Sequence, residues 1–193
     1  MIKANKIYSV KEIFHTLQGE GYNTGTPAVF CRFSGCNLWN GIEKDRKKAV
    51  CSFCDTDFNG VDGINGGKYK LGDLVKIINS LWPKRKKNKF VVFTGGEPIL
   101  QLDINLIKKI KSQGFRVAVE TNGTLPLPKE IDWICVSPKI KSKLIVKKGN
   151  EIKVVFPQKN IVLSEYEKLN FQHFYIQPLE NKDIVLNTKK SIN

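Results

Sequence analysis

Six short apolar runs constrain this 193-residue chain more than any other feature. Ala28–Phe33, Phe90–Thr94, Arg116–Glu120, Trp133–Ser137, Glu151–Phe156 and His173–Gln177 are rich in β-branched and aromatic residues and read as strands. Between them lie stretches with helical periodicity. In Leu71–Trp82, residues Leu71, Leu74, Val75, Ile78, Leu81 and Trp82 share one face. In Leu102–Gln113, Ile104, Ile107 and Ile110 do the same, and Gly114 is placed to cap the C-terminus. Apolar strands alternating with helices point to an α/β fold. Its mostly parallel sheet, open or closed into a barrel, is buried on both faces. No repeat, low-complexity tract or linker divides the chain, so residues 1–193 read as one domain.

That architecture places a site. Parallel α/β folds build their active sites at the C-terminal ends of the strands. Here the strands run in turn into Ser34-Gly35-Cys36-Asn37, Gly95-Gly96-Glu97-Pro98, Thr121-Asn122-Gly123, Ser137-Pro138-Lys139, Phe156-Pro157 and Pro178-Leu179-Glu180. Each segment alone fits an ordinary turn; their convergence at one end of a sheet points to an enzyme. Gly95-Gly96 lets backbone approach a ligand closely, and Glu97 offers a carboxylate to an ammonium group. Glu120 and Asn122 add a carboxylate and an amide, Ser137 and Lys139 a hydroxyl and an ammonium. Ahead of the first strand, Thr16-Leu17-Gln18-Gly19-Glu20-Gly21 reads as a loop able to close over a ligand. Arg32 is suited either to grip a carboxylate or to form a surface salt bridge.

The cysteines narrow the chemistry. Five is an odd count, and the inferred compartment is reducing, which argues against a disulfide framework. Cys36 is followed by fourteen residues, then Cys51, two residues and Cys54. A Cys-x-x-Cys pair suits zinc, a redox disulfide or an iron–sulfur cluster. Structural zinc wants four ligands. Cys31 and Cys135 lie within apolar strands as core residues, and nothing marks His15 or His173 as ligands. Three thiolates without a fourth fit a 4Fe–4S cluster that leaves one iron open. Asp55-Thr56 either offers oxygens to Mg²⁺ or caps a turn.

Composition bounds the partners. The net charge of +14 can attract nucleic acid, a membrane face or small anions. The run Lys84-Arg85-Lys86-Lys87, with Lys89 beyond, lacks the interleaved aromatics of a base-stacking surface and reads as a solvated loop. No apolar run approaches the roughly 20 residues that cross a bilayer. Met1–Lys6 lacks the apolar core of a secretory signal, which gives a cytoplasmic expectation.

Leu17-Gln18-Gly19-Glu20-Gly21, Arg32-Phe33-Ser34-Gly35-Cys36-Asn37-Leu38-Trp39, Cys51-x-x-Cys54-Asp55-Thr56-Asp57, Thr94-Gly95-Gly96-Glu97-Pro98, Glu120-Thr121-Asn122-Gly123, Ser137-Pro138-Lys139 and Gln177-Pro178 follow in this order. Together they resemble the 7-carboxy-7-deazaguanine synthase family, radical S-adenosylmethionine enzymes of queuosine biosynthesis, from about residue 7 to residue 190. The long Cys36–Cys51 spacing marks this subgroup. The resemblance implies a partial, compacted (β/α) barrel of about six parallel strands and a ring contraction. In it, 6-carboxy-5,6,7,8-tetrahydropterin becomes 7-carboxy-7-deazaguanine and ammonia. It also implies roles. Cys36, Cys51 and Cys54 would ligate the 4Fe–4S cluster and Thr56 would bind Mg²⁺. Gly95, Gly96, Glu97, Asn122, Ser137, Pro138, Lys139, Gln177 and Pro178 would line the S-adenosylmethionine site. Leu17, Gln18, Gly19, Glu20, Arg32, Thr94 and Glu120 would contact the pterin.

A homodimer and a reducing electron donor such as flavodoxin are further implications, with no membrane or direct nucleic-acid partner. The family pattern continues past Asn187-Thr188 through a helix and a Gln-Thr-His-Lys segment, whereas this sequence stops at Ser191-Ile192-Asn193. The expectation is cluster binding with poor turnover until such a segment is supplied. Two other functions fit parts of the sequence. One is an activase that makes a glycyl radical on a partner protein. The other is a zinc-stabilised basic RNA-binding module, which leaves the convergent strand ends unexplained.

Overall fold

The computed structural model describes residues 6–84 and 87–193. Arg85 and Lys86, the middle of the basic run, lie outside the described residues, as do residues 1–5. Eight strands form one sheet: β1 (Ile7–Leu17), β2 (Pro27–Phe33), β3 (Gly67–Lys70), β4 (Phe90–Gly95), β5 (Arg116–Thr121), β6 (Trp133–Val136), β7 (Lys148–Phe156) and β8 (Asn170–Pro178). Their order is β3-β1-β2-β4-β5-β6-β7-β8. The helices are α1 (Leu71–Leu81), α2 (Ile104–Lys111), α3 (Leu163–Glu167) and α4 (Ile184–Ile192).

The six strands expected from sequence are present, and all run parallel. The sheet stays open between edge strands β3 and β8, as in a partial barrel. Two strands are additional. β1 pairs antiparallel with both β2 and β3, so Thr16 and Leu17 end a strand rather than lie in a loop. A register shift between Val10 and Glu12 breaks the alternation that would have marked β1. β3 is four residues long and half polar.

β4 lies at the centre, with Phe90 to Thr94 buried. Phe93 stacks on Phe33 at 5.7 Å between ring centroids. Leu74, Val75 and Ile78 of α1 and Leu106, Ile107 and Ile110 of α2 pack into the same core. α1 stops at Leu81 because Pro83 disfavours helix in the residue before it. On β7, Ile152 and Val154 join a second apolar cluster with Val136 and Phe171. The period-2 pleat puts Glu151 and Lys153 on the opposite face. No helix among the described residues is long and apolar enough to cross a membrane. Lys89, at the end of the basic run, donates to Asn79 Oδ1 at 2.7 Å and lies over the Phe115 ring.

Asp103 begins α2 and ties it to β1. Its Oδ1 accepts from the Leu106 amide at 3.0 Å. Its Oδ2 accepts from Lys6 Nζ at 2.7 Å and from the Tyr8 hydroxyl at 3.0 Å. Burial alone would raise this carboxyl, but the donors outweigh it and hold it below its ordinary value. Its stabilising effect is therefore complete above the unfolded carboxylate range and lost as pH falls through and below about 4. Asp103→Ala is expected to cost about 1–2 kcal/mol at neutral pH in a urea titration. The variant should also lose stability less steeply than the parent on acidification.

Candidate active site

Cys36 lies in the loop after β2, while Cys51 and Cys54 close the insert that follows it. A 3-10 helix, Glu43–Lys48, forms the middle of this insert. The chain then returns to its start, where the Leu38 carbonyl accepts from the amides of Val50 at 3.1 Å and Cys51 at 3.4 Å. The three thiols are electrostatic neighbours. Cys51 and Cys54 share a hydrogen bond that pushes Cys51 up and holds Cys54 down to about 6. Burial raises Cys36, which also feels the charge of Cys54. Lys139 stands beside the Cys51–Cys54 pair. Its Nζ donates to the Ser137 carbonyl at 2.9 Å and hydroxyl at 2.8 Å, and burial lowers its pKa.

This donor set fits an iron–sulfur cluster. All five cysteines are free; Cys51 and Cys54 stand beside a cation that favours thiolate, and Cys36 feels the charge of Cys54. Among the described residues, no three His, Cys, Asp or Glu side chains gather tightly enough to hold a single ion. Cys31 and Cys135 are core side chains, with thiols raised by burial. His15 packs edge-on against Trp82, and His173 stacks on Tyr22. Thr56 borders a cavity of about 240 Å³ with Cys54, Asp55 and Asp57. Its hydroxyl bonds Asp55 Oδ1 at 3.2 Å. These oxygens fit Mg²⁺, which keeps several waters and takes few protein ligands.

Glu97 organises the strand ends. Its side chain is 0% exposed. Oε1 accepts from the Thr121 hydroxyl at 2.7 Å and the Ile99 amide at 3.0 Å, and Oε2 accepts from the Asn122 amide at 2.8 Å. Burial nevertheless raises this carboxyl above its ordinary value. The sequence offered Glu97 to a ligand ammonium, whereas in the structure its oxygens are engaged by the protein. The close approach permitted by Gly95 and Gly96 is likewise internal. A Cβ on Gly95 would stand 2.3 Å from the Phe33 carbonyl, and one on Gly96 would stand 2.3 Å from that of Gly35. Asn122 donates to Asn37 at 2.9 Å, joining the β5 end to the Cys36 loop. Pro138 is buried beside Lys139, and Pro178 ends β8.

The remaining residues form a polar floor on the face of the sheet. Glu120 accepts from Gln18 Nε2 at 2.9 Å and from the Thr94 hydroxyl at 3.1 Å. Glu20 accepts from Gln177 Nε2 at 2.9 Å and pairs with Lys153. Arg32 Nε donates to Glu12 at 2.7 Å. Gly19 has open space where a Cβ would lie. The segment after Gln18 is tied down by Tyr22, whose amide donates to Glu151 at 2.9 Å, and by Arg116, which donates to Asn23 at 2.6 Å. Leu17 stands apart, 59% exposed, beside a second cavity with His15, Pro27 and Trp82. Glu12, Glu151 and Lys153 were not singled out from sequence. The alternation Glu151-Ile152-Lys153-Val154 was the available signal, because it places two charges on one face of a strand.

A protein-family model described as the Radical SAM superfamily matches residues 46–136. A crystal structure of QueE from Escherichia coli superposes with a TM-score of 0.69 at 26% identity, covering 96% of this chain and 88% of that one. Fold and site thus define a radical S-adenosylmethionine protein. The 7-carboxy-7-deazaguanine synthase of Burkholderia multivorans is 59% identical over 187 residues, 96% of this chain and 89% of that protein. The Bordetella pertussis synthase is 51% identical over 186 residues, again 96% and 89%. The chain belongs to the 7-carboxy-7-deazaguanine synthase family. Neither the glycyl-radical activase nor the zinc-stabilised RNA-binding module finds support among these relatives.

Glu97→Ala would leave three internal donors without their acceptor. It is expected to destabilise the protein by at least about 1–3 kcal/mol, read from the urea midpoint.

Proposed function

We propose that this protein is a carbon–nitrogen lyase of queuosine biosynthesis, a pathway of tRNA modification. It contracts the ring of 6-carboxy-5,6,7,8-tetrahydropterin to 7-carboxy-7-deazaguanine and releases ammonia. One observation carries the reading. The Cys36-x14-Cys51-x2-Cys54 set lies next to the polar strand ends of a chain 59% identical to a named synthase. When bound, a reduced 4Fe–4S cluster and S-adenosylmethionine supply a 5′-deoxyadenosyl radical able to take a hydrogen atom from the pterin.

The chain's own residues bind, orient and balance charge. Cys36, Cys51 and Cys54 would hold the cluster and leave one iron open. Backbone at Gly95 and Gly96, with Ser137, Lys139 and Gln177, would cradle S-adenosylmethionine, and Asn122, Pro138 and Pro178 would complete that wall. Glu97 would serve this wall by fixing Thr121 and Asn122, as its internal hydrogen bonds suggest. Arg32 would face the pterin carboxylate with the guanidinium nitrogens left by Glu12, as a fork suited to an anion. Glu120, oriented by Gln18 and Thr94, would accept ring N–H donors, assisted by Glu20 and by the backbone of Leu17 and Gly19. Thr56 would hold Mg²⁺ beside the substrate, where a hard cation steadies a carboxylate.

A low-potential donor such as flavodoxin would supply the electron. A homodimer is part of the same reading. Val185 and Ile192 of α4 and Phe174 and Ile176 of β8 are exposed apolar side chains that a second copy would cover. One radical S-adenosylmethionine domain would comprise residues 1–193.

The test is anaerobic reconstitution with iron and sulfide, then reduction with S-adenosylmethionine and the pterin, with products followed by mass spectrometry. Formation of both 5′-deoxyadenosine and 7-carboxy-7-deazaguanine is expected. 5′-Deoxyadenosine without the deazaguanine would keep the radical chemistry but contradict turnover of this pterin by the chain. Cys36→Ala should abolish both products and the cluster absorbance. Glu120→Gln removes the charge from hydrogen bonds to the ring, and is expected to raise KM for the pterin about tenfold or more in steady-state assays.

A further inference from the structure

The insert between Cys36 and Cys51 contains Arg46, a residue that neither the motifs nor the family resemblance assigns. It lies in the 3-10 helix Glu43–Lys48. Its Nη1 donates to the carbonyl of Ser52 at 3.2 Å and to that of Cys54 at 2.8 Å. Its Nε donates to both carboxylate oxygens of Glu43 at 2.8 Å. The guanidinium plane is also held from the side, 4.1 Å from the centroid of the Trp39 ring. Trp39 in turn packs edge-on against buried Phe58.

These contacts differ in weight. Glu43 is exposed, and an exposed ion pair of this kind contributes little. The two carbonyls belong to the loop that carries Cys51 and Cys54. A guanidinium is a planar fork with several donors, so a single side chain can fix two carbonyls and stack on an indole at once. Arg46 is also close enough to Cys51 and Cys54 to interact with their charges. Lys139 interacts with the same two thiols and lies over the ring of Phe53, between them in sequence. Lys139 also belongs to the proposed S-adenosylmethionine wall, whereas the hydrogen bonds of Arg46 go to the loop and its insert, at the wall of the cavity that Thr56 borders.

We propose that Arg46 is a positioning residue for the iron–sulfur cluster. It clamps the Cys51–Cys54 loop through the Ser52 and Cys54 carbonyls and keeps a fixed positive charge beside the thiolates. The proposal rests on the assignment of Cys36, Cys51 and Cys54 as cluster ligands. A cation that cannot be deprotonated stabilises the more negative, reduced cluster and so raises its reduction potential. The same clamp slows opening of the loop, which is the step that exposes iron to loss. The insert therefore supplies the tether for the ligands at its own end.

The experiment uses the full chain, reconstituted anaerobically as the parent, Arg46→Met and Arg46→Lys. Two readouts do not depend on turnover: the midpoint potential from a titration followed by electron paramagnetic resonance, and the rate of iron release to a chelator. Arg46→Met keeps length but removes charge and donors. It is expected to lower the potential and to release iron about tenfold faster, the lower end of what outer partners of metal ligands contribute. Arg46→Lys keeps the charge but loses the fork. It should stay near the parental potential while still releasing iron faster. Parental values for both readouts in Arg46→Met would overturn the proposal. Should Arg46→Met fail to fold, unchanged iron release in Arg46→Lys would overturn it. A parent that takes up no iron would overturn the ligand assignment itself, and the proposal with it.

Discussion

A buried carboxylate joins the parts of this site. Glu97 receives the Thr121 hydroxyl and the Asn122 amide from the end of β5, and its own backbone amide donates to the Gly35 carbonyl at 2.9 Å, one residue before Cys36. One residue thus connects the end of β4, the end of β5 and the loop bearing the first cysteine. Burying a charge without partners would be prohibitive, and three donors offset most of that cost. The contact between Gly96 and Gly35 brings the same segments together by sterics. The Asn122–Asn37 bond repeats the connection on the solvent side.

Charge balance governs the floor beneath. Glu20 and Glu120 are carboxylates in a partly buried region, and Lys153 is the cation among them. Burial alone would push the Lys153 ammonium down. The attraction of Glu120 and Glu20 outweighs burial and holds it above its ordinary value. Arg32 forms an ion pair with Glu12 of β1 on the same face. A polar substrate would therefore meet groups whose charges and directions are already set, which lowers the cost of ordering them on binding.

Much of this was legible in the sequence, and the exceptions have physical causes. The six parallel strands announced themselves as apolar runs, and their polar ends pointed to one site. β1 was hidden because its bulge interrupts the alternation, and β3 because it is short and polar. Lys153 escaped notice because a charged residue inside an apolar run reads as an interruption until the strand is known to have a polar face. Arg46 looked like one cation among 32 in a basic chain, since only the folded insert turns it onto the cysteine loop. Glu97 was recognised as important, but its direction was not. Sequence carries the residue type, whereas packing decides whether a carboxylate faces a ligand or the neighbouring strand.

The central claim is that three cysteines hold a 4Fe–4S cluster with one iron open to S-adenosylmethionine. Electron paramagnetic resonance of the reduced, reconstituted protein, recorded with and without S-adenosylmethionine, tests it most directly. The account predicts a 4Fe–4S signal whose line shape changes when S-adenosylmethionine is added, because the ligand reaches the open iron. A colourless protein carrying stoichiometric zinc, or a cluster signal indifferent to S-adenosylmethionine, would contradict it.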